Sequence, residues 1–415
     1  MGLKKKLTLY LILTSSVFLG FLLEENSSGG SKIDYNYLLP YIIEFQNNLK
    51  LGFELFINNP STLIHSPVFY IIIGLINRFL DNILLIKIFY IGLSCSLPFV
   101  FYLILKSKYK IETDFFFYLS LLIFFSPFFR SSAIWLTGDN LSLIFFSLSI
   151  LFFLKTNSEK KVSNYYLCLV FLILCCYIRY YFCLFALYFL YDFYNKVNKK
   201  IFLNVVLLSF LLSLPALFYL YQLIYNYNFL NYISDRVYIN YLSNLIAILS
   251  IFLFYTFPFI LFEIPKIFKY HKSNIYRPLF IFVIIILIII IDKFINNNLI
   301  SYLSYGGGVF VKISQILEID VDLFLPFVAF FSLLIIDYLF EDQKFKNYLI
   351  FLILILSFPL PIIYQKYMDP LFYIFLFGLI NSTYIKNLIF DKSIRPAFLF
   401  MYFGSFFLFS YYFYL

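Results

Sequence analysis

The chain has 415 residues, of which 63% are hydrophobic and 13% charged, with a mean hydropathy of +0.89 and a formal net charge of +9. This balance excludes a water-soluble globular domain, because apolar runs of ~20 residues are what a ~30 Å hydrocarbon core demands. Runs such as Leu279 to Ile291 are unlike the alternating ~10-residue strands of a β-barrel, and the basic residues cluster in short loops, which reads as membrane topology and not as nucleic-acid affinity.

The chain therefore reads as an all-α polytopic membrane protein, since helices satisfy the backbone in lipid. Lys4, Lys5 and Lys6 place the N-terminus inside, before a first span at about 7–23 that carries no cleavage pattern and reads as a retained signal-anchor. Residues 24–82 then form a long first extracytoplasmic loop with surface helices. Its last stretch, 67–80, is only about 14 residues long and ends in polar residues, so it is expected to lie along the interface and not to cross. Further spans are expected at about 83–105, 114–130, 133–154, 164–178, 180–194, 201–225, 242–262, 278–295, 322–340, 347–364, 370–388 and 396–415. That makes about thirteen, with the N-terminus inside and the C-terminus outside.

The stretch 164–194 is divided into two short helices because an unbroken one would leave Arg179 in mid-membrane, at high cost. The chain reads as a single integral membrane domain, 1–415, with a helical module at 83–200 that carries catalytic features and a C-terminal module at 201–415. Cys168, Cys175, Cys176 and Cys183 have no C-x-x-C spacing and read as buried structural thiols. Glu24, Glu25, Glu44, Glu54 and Asp235 read as solvated loop charges, and His271 as solvated in a basic inner loop.

The outer polar residues suit chemistry on a lipid-linked phosphate. Moving a group from such a donor to an acceptor hydroxyl needs a base for that hydroxyl and cations for the departing phosphate. Asp34 is the expected base. Arg179 and Lys366 are the expected phosphate ligands, Arg179 through its planar fork. Asp139, inside an expected span, is a functional candidate by position and would orient donor or acceptor. His65, Tyr180 and Tyr367 are expected to line the substrate site, and Asp34 with Asp139 offers a place for a divalent cation, Mg or Mn.

The text Asp34-Tyr35-Asn36-Tyr37-Leu38-Leu39-Pro40, the turn Asn59-Pro60-Ser61-Thr62-Leu63-Ile64-His65-Ser66-Pro67 before Tyr70, and the segments Ser126 to Asp139, Arg179-Tyr180-Tyr181 and Ile363 to Tyr367 resemble the C-type (GT-C) glycosyltransferases. Within that superfamily the pattern looks most like the dolichyl-phosphate-glucose α-1,2-glucosyltransferases. It departs from them at Tyr35 and Leu38, where the family has Glu and His, and at Lys366, where it has Arg. The resemblance implies transfer of a sugar from a polyprenyl- or dolichyl-phosphate donor to a glycan or lipid-linked oligosaccharide acceptor at the extracytoplasmic face. Its partners would be membrane lipids and no nucleic acid, in a bacterial inner membrane or, alternatively, the endoplasmic reticulum. Two other classes remain open. An O-antigen polymerase or ligase would place its large outer loop late in the chain, and a transporter or flippase would show inverted-repeat hydropathy.

Overall fold

This computed structural model of the protein describes residues 2–58, 66–159, 161–227, 241–296, 308–360, 362–390 and 395–413, and every regular element among them is helical. The chain divides into two compact units, Met1–Tyr232 with Phe403–Leu415, and Ile233–Tyr402. Seven described helical stretches are long and apolar enough to cross a membrane, or nine if each of two bent pairs counts as one crossing.

The first unit contains α1 (Leu3–Leu22), α2 (Ser31–Asn47), α3 (Leu49–Asn58), α4 (Val68–Leu80), α5 (Ile83–Ser94), α6 (Ser96–Tyr109), α7 (Asp114–Leu121), α8 (Pro127–Ile134), α9 (Asp139–Glu159), α10 (Val162–Ile178), α11 (Phe185–Tyr194) and α12 (Lys199–Tyr227). Its apolar residues do not all turn inward. On α12, Leu203 is 66% exposed and Phe218 66%, a face that only a lipid environment makes inexpensive. Between the first span and the next, α2 and α4 pack backbone to backbone at Gly74, where a Cβ would lie 2.9 Å from the Ile42 carbonyl oxygen. With 13 residues α4 is about 20 Å long, too short to cross a ~30 Å core.

Several expected spans are interrupted, each for a local reason. The stretch 114–130 is a pair of helices bent by 64°, because Ser126 and Pro127 stop one and start the next. The Ser126 hydroxyl caps α8 by accepting from the Phe129 amide at 2.9 Å, and Pro127 fills the first helical position. The next span begins at Asp139 and not at 133, since Leu136 adopts φ 52° and turns the chain. Asp139 thus opens a helix and does not lie within one, a position where a carboxylate complements the helix dipole.

The second unit contains α13 (Tyr241–Ile260), α14 (Ile264–Lys272), α15 (Tyr276–Asn296), α16 (Val309–Ile316), α17 (Val321–Leu339), α18 (Lys344–Leu356), α19 (Leu371–Ile374) and α20 (Thr383–Phe390). The final helix, α21 (Pro396–Phe413), enters the first unit from Phe403 on. The stretch 370–388 is broken with a bend of 105°. There the Asn347 amide accepts from the Asn381 N–H at 3.0 Å and donates to its carbonyl at 2.7 Å, replacing helical bonds with side-chain ones. His271 is buried, with Nε2 3.0 Å from the Leu334 carbonyl oxygen, so it is a core residue and not the solvated one expected.

The polar heart of the first unit is a fully buried ion pair. Arg130 Nε donates to Glu25 at 2.9 and 3.1 Å and Nη2 at 2.6 Å, with the two side chains only 6% and 3% exposed. The remaining donors reach the Ser16 hydroxyl and carbonyl, both at 2.9 Å, and Ser27 donates to Glu25 at 2.8 Å. A Cβ on Gly20 would collide with the Glu25 carboxylate, so α1 admits the pair only through a glycine. Glu25 is therefore not the solvated loop charge expected: once Arg130 is buried by α8, its charge requires a buried partner.

We expect Glu25→Gln, which strands the guanidinium, to destabilise the protein by about 3–5 kcal/mol, and the double variant Glu25→Leu with Arg130→Met to recover most of that loss. Thermal unfolding in detergent micelles measures both. An unchanged midpoint for Glu25→Gln contradicts the assignment.

Candidate active site

Asp34 lies in the first turn of α2, half-buried, at the margin of the face formed by Tyr35, Leu38, Tyr41, Ile42 and Phe45. The spacing of three and four residues along that face is what turns it towards α4. The first turn of α4 supplies Phe69 and Tyr70, both buried, with the Tyr70 ring 5.7 Å from Tyr41. The Ser66 hydroxyl ahead of it donates to the Tyr177 carbonyl, tying the end of the first loop to α10.

The turn before α9 brings in the second carboxylate. Thr137 Oγ1 donates to Asp139 Oδ2 at 3.2 Å, while the Tyr90 hydroxyl donates to the Thr137 carbonyl and accepts from the Leu141 amide at 3.3 Å. α10 ends where Arg179 takes an extended conformation, φ −137° and ψ 101°, so the break expected there is present. Arg179 Nε donates to Asp139 Oδ1 at 2.7 Å, joining residues 40 apart in sequence. Burial pulls the Arg179 pKa down, but the Asp139 carboxylate and its hydrogen bond hold it well above the ordinary arginine value. The Nη groups of the fork have no hydrogen-bond partner among the described residues.

Tyr70 is where these charges meet. Its phenol is raised to about 12, chiefly by burial; Arg179 lowers it, while Tyr41, Asp139 and Asp34 add to the rise. The phenol, which lines one recess with Arg179 and feels the charges of Asp139 and Asp34, stays protonated near neutral pH. A recess of about 10 Å³, room for about one water molecule, opens between Leu38, Tyr70, Gly138 and Arg179. Tyr180 follows Arg179 and is 37% exposed. Tyr70 was not among the expected site residues. Its signal was its place just after Ser66-Pro67 at the end of the polar loop.

His65 lies outside the described residues. Lys366 and Tyr367 belong to the second unit, on a single 3₁₀ turn, Gln365–Tyr367. That turn is pinned by Gln365, which accepts from the Val309 amide at 3.0 Å and donates to the Tyr255 hydroxyl at 3.1 Å. The Lys366 ammonium is 5.7 Å from the Tyr367 ring centroid and 5.9 Å from that of Tyr364. Of the thiols, Cys168 and Cys175 are buried as expected, whereas Cys183 is exposed because it follows the break at Arg179.

Asp34 and Asp139 fit a divalent cation poorly. One oxygen of Asp139 already faces the fixed positive charge of Arg179, and no group of three or more His, Cys, Asp or Glu side chains is placed to share an ion among the described residues. Compared with protein-family models, curated proteins and solved structures, the chain finds no match in any of the three.

Proposed function

We propose that this protein is a membrane glycosyltransferase with a GT-C-like arrangement of thirteen crossings. In this reading it moves a sugar from a polyprenyl- or dolichyl-phosphate donor to a glycan or lipid-linked acceptor at the extracytoplasmic face of a bacterial inner membrane. One observation supports the reading: a half-buried carboxylate, Asp34, shares the surroundings of Tyr70 with an Arg179 whose fork is held in place by Asp139. A base and an anchored cation are the two groups the reaction needs.

Asp34 takes the proton of the acceptor hydroxyl as its oxygen bonds to the anomeric carbon. The bond from that carbon to the lipid phosphate breaks, and its electron pair leaves with the phosphate. The Nη groups of Arg179 receive the phosphate bidentately. Asp139 acts by positioning Arg179. Tyr70 stays protonated and does not exchange protons near neutral pH.

Sugar transfer in lipid nanodiscs, from a polyprenyl-phosphate donor, tests the assignment. Asp34→Asn should keep donor binding and lose turnover by roughly 10²–10⁴-fold, about 3–5 kcal/mol of barrier. Near wild-type transfer by that variant at saturating donor removes Asp34 as the base. Arg179→Ala should raise the donor KM, Arg179→Lys should restore it in part, and Asp139→Asn should resemble Arg179→Ala by releasing the fork. Equal KM in all three variants removes the pair from the site.

The crossing number has its own test. With thirteen crossings, a cysteine at Lys108 is labelled from the cytoplasmic side only. Labelling of that cysteine by an impermeant reagent from outside rules the arrangement out.

A further inference from the structure

A second cation site lies near the start of the same unit. Lys87 stands one turn into α5, near the start of an apolar stretch of 27 residues, Ile83–Tyr109. Its ammonium sits 3.8 Å from the Tyr35 ring centroid and 4.8 Å from that of Trp135, and it forms no ion pair among the described residues. Lys32, from α2, reaches the same indole at 5.1 Å. Its other partner is Glu24, at 2.7 Å on the exposed side. The indole is fixed: Trp135 is 6% exposed, and its Nε1 donates to the Glu25 carbonyl at 2.7 Å.

Aromatic faces attract an ammonium without neutralising it. Two lysines converging on one ring with a single carboxylate between them leave a net positive charge, held where a charge entering hydrocarbon is costly. A compact anion with several acceptor oxygens completes such a site, and lysine serves phosphate as a point charge. A lysine at the start of a long apolar stretch can reach the phosphate level of a lipid surface.

We propose that Lys87 and Lys32, carried on the faces of Tyr35 and Trp135, bind the phosphate of a membrane lipid at a site distinct from Arg179. That lipid is the lipid-linked acceptor, an identification that rests on the transferase reading.

Trp135 is the single tryptophan of the chain, so its emission reports on this site alone. The intact protein in maltoside micelles, free of other phosphate, is titrated with farnesyl phosphate, with phosphatidylglycerol and with inorganic phosphate. Farnesyl phosphate should change the emission saturably. Lys87→Gln and Lys32→Gln should each weaken binding roughly tenfold, as loss of a charge-assisted bond implies, while Lys87→Arg and the remote Lys50→Gln should still saturate. Saturation by farnesyl phosphate and not by phosphatidylglycerol supports a lipid-linked substrate. Equal saturation by both supports a phospholipid anchor at the same site. Response to inorganic phosphate alone, no saturation, or binding indifferent to both lysine variants overturns the proposal. A protein that binds farnesyl phosphate in this way yet transfers no sugar refutes the transferase reading and leaves the site standing.

Discussion

A guanidinium enclosed by four chain segments governs the arrangement of the first unit. Arg130 cannot leave water unaccompanied, because an unpaired buried charge costs several kcal/mol, and Glu25 is the group that accompanies it. Meeting that requirement draws the end of α1, the turn after it and the start of α8 to one point. The last helix is drawn there too: Ser410 donates to the Ser27 carbonyl at 2.8 Å, and the Phe407 ring lies 4.6 Å from the guanidinium. The turn that holds Trp135 and leads to Asp139 is set by the same node, since the indole N–H is bound to the Glu25 backbone.

The unit contains a second arginine–carboxylate pair of the same chemistry and a different character. Arg130 spends its donors on Glu25 and Ser16 and is sealed, so it serves the fold. Arg179 and Asp139 are 13% and 32% exposed, meet through a single bond, and leave the outer edge of the fork towards a recess. A cation held by one edge and open on the other is suited to an incoming anion. Exposure and unused donors, and not the residue types, distinguish this pair from the sealed one.

Helix α2 links both proposed sites. Lys32, Asp34, Tyr35 and Leu38 fall within its first two turns, so a rigid backbone sets the spacing between the aromatic-lined cations and the carboxylate by Tyr70. The close approach at Gly74 ties α2 to α4 and fixes Tyr70 relative to it.

Composition and hydropathy by themselves determined the solvent and the class of structure: apolar runs of this length require a bilayer, and a bilayer requires helices. They also located the polar segment after the first apolar helix, the short helix at 68–80 and the break at Arg179, because charge and proline act locally on the backbone. They could not decide which charges pair. Glu25 and Glu24 are adjacent and chemically alike, yet one is buried against Arg130 and the other faces water with Lys32. The contact of Asp139 with Arg179 across 40 residues, the burial of His271 and the gathering of charges at Tyr70 likewise depend on packing between distant segments. An ion pair's energy depends on distance and burial, and both are properties of the folded chain.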